Sequence, residues 1–262
     1  MVTTPQWLRA QCQVLFGPAA AALRQGRYGR LWLGPVAALL VAGAAVAART
    51  GSGHAVITRY AITHPDDPLP ATLLRLPLSV VAPAALLPYW FAVGQVLIVC
   101  SLAQSLLGTL RTVAVAAAGH GLATLSAPLW IAAGPPVGLA ADDARLADAG
   151  PSAAVVALLA YAAVRHRIGW LAAALVTYHS VEVVTVGGLA PREHLVATLT
   201  GVAAAALAVR PAGSGAVSRR VMGAGAVPAA APASAGAPVH PARAAGRTIG
   251  GSTSWRRLRR RE

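Results

Sequence analysis

Residues 112–141 read TVAVAAAGHGLATLSAPLWIAAGPPVGLAA, 30 residues without a charged side chain, bracketed by Arg111 and Asp142. A helix that crosses a bilayer needs about 20 consecutive, mostly apolar residues, so this stretch exceeds one crossing. The same bias runs through all 262 residues, of which 56% are hydrophobic and only 11% charged, with a mean hydropathy of +0.60. Soluble domains carry about 25% charged residues. An ordinary cytosolic enzyme is therefore excluded, and the expected class is an all-α polytopic membrane protein.

Working outward from that stretch, apolar runs and charged stops predict six transmembrane helices. They fall at 31–48, within 77–107, and at 112–133, 152–164, 168–186 and 193–209. A polar excursion, 49–75, separates the first two, and a loop over 134–150 carries Pro135, Pro136, Asp142, Asp143 and Asp148. Residues 1–30 form a basic arm with Arg9, Arg24, Arg27 and Arg30 beside Trp7 and Phe16, a mixture suited to the headgroup level. A cleaved signal peptide is the rival reading of the first run, but its 30-residue leader would be excessive. Residues 211–262 are rich in Ala, Pro, Gly and Ser and close on Arg256-Arg257-Leu258-Arg259-Arg260-Arg261, which predicts a disordered cytoplasmic tail. That cluster suits the anionic inner leaflet, and a merely solvated tail is an equal reading.

Charge sets the expected orientation. All 22 basic residues are arginine, with no lysine and no asparagine, a bias toward GC-rich codons that points to a bacterial genome. Six crossings put both termini on one side, and that side would hold 17 arginines against five on the other. The positive-inside rule then makes both termini cytoplasmic, in a bacterial plasma membrane. It also accounts for the formal charge of +14 without a nucleic-acid partner; membrane lipids are the expected contacts. Cys12 and Cys100 lie in unlike regions and form neither a disulfide framework nor a zinc signature.

Polar residues inside apolar helices cost free energy unless partnered, so their depth is informative. With the inner arginines as zero and a rise of about 1.5 Å per residue, Ser152 lies roughly 20 Å up, 13 residues from Arg165. His194, 16 residues from Arg210, lies roughly 24 Å up. The two fall within one helical turn, a necessary condition for a hydrogen bond. On the same scale His179 lies about 18 Å up, Glu182 about 22 Å and His120 about 13 Å. Gln95 falls near the outer third of the second span. Taken alone, Ser152 after Gly150-Pro151 reads as a helix cap, His194 beside Glu193 as an interfacial histidine, and His120 as a satisfied bundle histidine.

Taken together, Gly150-Pro151-Ser152-Ala153 opening the fourth span and His194-Leu195-Val196-Ala197-Thr198-Leu199-Thr200-Gly201 in the sixth resemble the rhomboid family of intramembrane serine proteases. The form Asp148-Ala149-Gly150-Pro151-Ser152 is similar to that of divergent actinobacterial rhomboid-like proteins. The resemblance covers about residues 31–210. It implies a six-helix rhomboid-like core with Ser152 as nucleophile and His194 as general base. Gly150 shapes the nucleophile's turn, and Ala197 and Gly201 let a neighbouring helix approach closely. Its substrates would be single-span membrane proteins cut near the outer face, with no cofactor and no metal.

The chain departs from the family pattern at Ala153, where a glycine is usual, and in lacking the asparagine that helps bind the oxyanion. Gln95 and His120 are the candidate substitutes. The alternative to a serine endopeptidase is a catalytically inactive rhomboid-like pseudoprotease that binds transmembrane clients. A third reading, a transporter or metal site, uses His179 and Glu182, whose pairing would otherwise serve only to neutralise the carboxyl.

Overall fold

The computed structural model describes residues 5–83 and 88–208. The expected tail over 211–262, and the Arg210 stop of the last span, lie outside the described residues. Among the described residues there are nine α-helices and no β-strand. They are α1 Gln6–Arg24, α2 Leu33–Ala47, α3 Gly51–Tyr60, α4 Leu69–Ser79, α5 Tyr89–Leu107, α6 Thr109–Ala133, α7 Ser152–Arg165, α8 Gly169–Thr185 and α9 Leu189–Ala208.

Two of these, α5 and α6, are long and apolar enough to cross a membrane, and α2 with α3 adds a third only if the pair, bent by 120°, is taken as one span. The six expected crossings are not evident from helix length and apolarity. At 14 residues α7 rises about 21 Å, short of a hydrocarbon core about 30 Å thick. Helix α8 stops at 17 residues and carries His179 and Glu182, while α9 takes in Arg192 and Glu193.

Several boundaries differ from expectation for local reasons. The polar excursion is largely helical. Thr50 Oγ1 accepts the Gly53 amide at 3.1 Å to start α3, and a Cβ on Gly53 would meet the Ala47 carbonyl oxygen at 2.2 Å. Proline at the first turn suits α4, because the missing N–H has no intrahelical acceptor there. Helix α4 absorbs Pro77 and ends at Ser79, so the helix of the expected second span, within 77–107, begins at Tyr89. The basic arm is the helix α1, which buries Ala19 and Ala22 against Leu31 and Leu102 and leaves Trp7 and Phe16 exposed.

Helix α7 is central. Nine of its 14 residues are buried, and it packs against α5, α6, α8 and α9, most extensively α9. Its surroundings are mostly Ala and Val, whose small side chains let backbones approach. Ala157 is pinched from two sides. A Cβ on Gly119 of α6 would meet the Ala157 Cβ at 2.2 Å, and one on Gly201 of α9 would meet the Ala157 carbonyl oxygen at 2.3 Å.

Candidate active site

Ser152 is the first residue of α7, behind the cap residue Pro151. Its side chain does not cap the helix. Instead, Ser152 Oγ lies 2.9 Å from His194 Nε2. The hydrogen bond exists because α7 and α9 touch along small residues: Ala197 is fully buried and Gly201 sits one turn further along the same face, against α7.

The loop that presents Ser152 is tied down on both sides of its turn. Asp148 pairs with Thr63 through two backbone hydrogen bonds of 3.0 and 2.8 Å, and its carboxylate accepts from Thr63 Oγ1 at 3.4 Å and Thr124 Oγ1 at 3.3 Å. The Gly150 amide donates to the Ser79 carbonyl at 2.8 Å. Gly150 has φ 127°, a conformation L side chains rarely adopt. Arg192 fixes the other end of the loop. Its buried guanidinium donates to the carbonyls of Val137, Gly138 and Gly188, the two shortest bonds being 2.8 Å.

On the far side of the His194 ring, Nδ1 faces Glu182 Oε2 at 3.8 Å. The same carboxylate oxygen lies 3.0 Å from His179 Nδ1, and the two imidazole rings are 5.3 Å apart. Glu182 and His194 are each about one-fifth exposed, at 21% and 19%, so the pair is reachable, whereas His179 is buried. Glu193, next in chain to His194, turns away toward Asp148.

The two candidate oxyanion donors make no hydrogen bond to this pair among the described residues. Gln95 is half-buried on α5 and forms no side-chain hydrogen bond to Ser152 or His194 among the described residues. His120 Nε2 pairs at 2.7 Å with Ser79 Oγ, and its Nδ1 is buried without a partner. His120 also borders an apolar cavity of about 530 Å³ that reaches Pro151 and is lined by α2, α4, α5, α6 and α7. The first-turn amides of α7, beginning with Ser152, have no intrahelical acceptor.

Ser79 and the approach of Glu182 to His194 were missed from sequence. The second had a signal, because the two heights differ by only about 2 Å, less than half a turn. Comparison with protein-family models, curated proteins and solved structures finds no match for this chain.

Proposed function

We propose that the chain is a rhomboid-like intramembrane serine endopeptidase acting through Ser152 and His194. The observation that carries this reading is the 2.9 Å contact between the two side chains, made near the starts of α7 and α9 with His194 about one-fifth exposed. In this reading α2, α5, α6, α7, α8 and α9 are the six crossings, and α3 and α4 lie between the first two. Helix α7 tolerates its short length because other helices, not lipid, surround it. Arginine distribution makes both termini cytoplasmic and puts the dyad near the outer face of a bacterial plasma membrane.

Chemically, Ser152 Oγ attacks the scissile carbonyl carbon while its proton passes to His194 Nε2. The resulting oxyanion faces the free amides at the start of α7, where the helix dipole also favours negative charge. The protonated imidazole then gives the proton to the leaving amine, and an acyl-Ser152 intermediate forms. A water enters from the exposed side, loses its proton to His194 and attacks the ester carbon, and His194 returns that proton to Ser152 Oγ as the acid product leaves. Glu182, facing Nδ1, favours the tautomer that leaves Nε2 free to accept. Suitable substrates are single-span proteins whose helices unwind near the outer face.

Activity-based labelling tests this directly. A fluorophosphonate is expected to modify Ser152 in the detergent-solubilised protein, and Ser152→Ala or His194→Ala to abolish the adduct. Labelling that persists in both variants rejects the assignment. One observation favours a second reading, a pseudoprotease that binds transmembrane clients: among the described residues neither Gln95 nor His120 hydrogen-bonds to the dyad. It predicts co-purifying membrane proteins whose recovery Ser152→Ala leaves unchanged, with no adduct on the wild type.

A further inference from the structure

His179, Glu182 and His194 each offer one ligand atom, and the three atoms lie within 4.8 Å of one another. We propose that they bind a divalent transition-metal ion of the zinc class, and that the bound ion holds the Ser152–His194 pair at rest. The binding statement stands on the cluster alone; the resting-state statement rests on the hydrolase reading above.

Two imidazole nitrogens and one carboxylate oxygen form a donor set suited to zinc, whereas calcium or magnesium would call for oxygen ligands throughout. Tetrahedral coordination at about 2.1 Å puts ligand atoms roughly 3.4 Å apart. The separations from Glu182 Oε2, 3.0 Å to His179 Nδ1 and 3.8 Å to His194 Nδ1, bracket that value. His179 and Glu182 are three residues apart on one face of α8, and α9 supplies the third ligand. The site is therefore assembled only when α8 and α9 pack. The partial exposure of Glu182 and His194 gives the ion an entry and leaves a fourth position for water.

The consequence for His194 is chemical. A neutral imidazole that coordinates through Nδ1 carries its one proton on Nε2. Nε2 then donates to Ser152 Oγ and is unable to take its proton. Loss of the ion returns the Nδ1 proton and frees Nε2 as a base. The ion is thus an inhibitor bound behind the general base, away from the scissile bond.

The test uses the full chain without a polyhistidine tag, purified in detergent, stripped with chelator and equilibrated with zinc chloride. Elemental analysis is expected to find one ion per chain, and the visible spectrum of the cobalt(II) form to report four-coordinate nitrogen–oxygen ligation. Affinity is expected to fall at least tenfold in His179→Ala and Glu182→Gln and to be unchanged in Ser152→Ala. His179→Gln serves as a second variant should His179→Ala fail to fold. No bound ion, or affinity unchanged in the folded ligand variants, overturns the site. Zinc is also expected to suppress Ser152 labelling at least tenfold in the wild type and to have no effect on labelling in His179→Ala. Binding without suppression overturns the resting-state claim. Absence of labelling in metal-free protein removes the hydrolase reading and the resting state with it, and leaves the ion site to stand on binding alone.

Discussion

Gly201 lies so close to α7 that a methyl group added to it would stand 2.3 Å from the carbonyl oxygen of Ala157. Because that obstacle is backbone, it cannot swing aside. The close approach is what lets the side chain at the start of α7 reach a ring near the start of α9, so the spacing of the two helices and the geometry of the dyad are one property.

Gly201→Ala is therefore expected to destabilise the protein by about 1–3 kcal/mol, the usual cost of overpacking, and to reduce Ser152 labelling. Gly119→Ala, opposed by the Ala157 Cβ at 2.2 Å, should lower the melting temperature similarly. Gly121→Ala, whose Cβ would meet nothing within 4 Å, is the contrast: removing a helical glycine there should be stabilising by about 0.5–1 kcal/mol. Thermal unfolding in detergent, with labelling in parallel, reads all three.

Among the described residues there are two serine–histidine pairs, and accessibility separates them. Ser79 is fully buried and His120 nearly so, at 4% exposure, so the Ser79–His120 bond is structural. A fluorophosphonate is expected to leave Ser79 unmodified, and Ser79→Ala to retain the Ser152 adduct. The same variant strands His120 Nε2 and should cost about 1–3 kcal/mol, the penalty for a buried polar group without a partner. Peptide mapping of the labelled protein decides the first point and a melting curve the second.

Arg192 spreads its donors over three carbonyls on two chain segments, which a planar fork does and a point charge does not. Arg192→Lys is expected to behave as a loss rather than a conservative change, lowering stability by about 1.5–3 kcal/mol for the charged hydrogen bonds it forfeits. Limited proteolysis should then find new cleavage within residues 134–150 before the helices unfold.

Asp67 links stability to pH. Burial pushes its carboxyl up, but the His64 amide and the Arg75 guanidinium outweigh burial and hold it below its usual range. The folded value being the lower one, the contribution is complete above the unfolded value, about 3.9, and is lost as pH falls through the folded value. The melting temperature should drop on acidification below about pH 4, and Asp67→Asn should flatten that drop while lowering the melting temperature at pH 7. An equal acid response in both proteins would contradict the assignment.

Cys12 is exposed on α1, whereas Cys100 is half-buried on α5. With cytoplasmic termini, a membrane-impermeant maleimide should spare Cys12 in intact cells and modify it after permeabilisation. Asp142→Cys, in the loop before α7, should react without permeabilisation. The reverse pattern would invert the proposed topology.

The Ser152–His194 contact was legible because arginine stops fix helix height and the small residues Ala197 and Gly201 mark the face that meets a neighbour. Height alone carries no azimuth. That is why Glu182, placed within about 2 Å of His194 in level, was paired only with His179 on its own helix. Helices α3 and α4 were hidden by their shortness and polar composition and, in α4, by Pro70 in the first turn and Pro77 inside the helix, which read as loop. With α4 unseen, Ser79 had no position, so its pairing with His120 was not foreseen. Length and apolarity also understate α7, whose brevity makes sense only once its neighbours are known.

The segment between α2 and α5 reaches the turn before Ser152 through the Thr63–Asp148 pairing and the Gly150–Ser79 bond. Helix α7 itself is sheathed by protein, so a stretched or thinned bilayer has little direct grip on it. A displacement of α3 or α4 therefore has a short route to the Ser152 hydroxyl, through these two tethers.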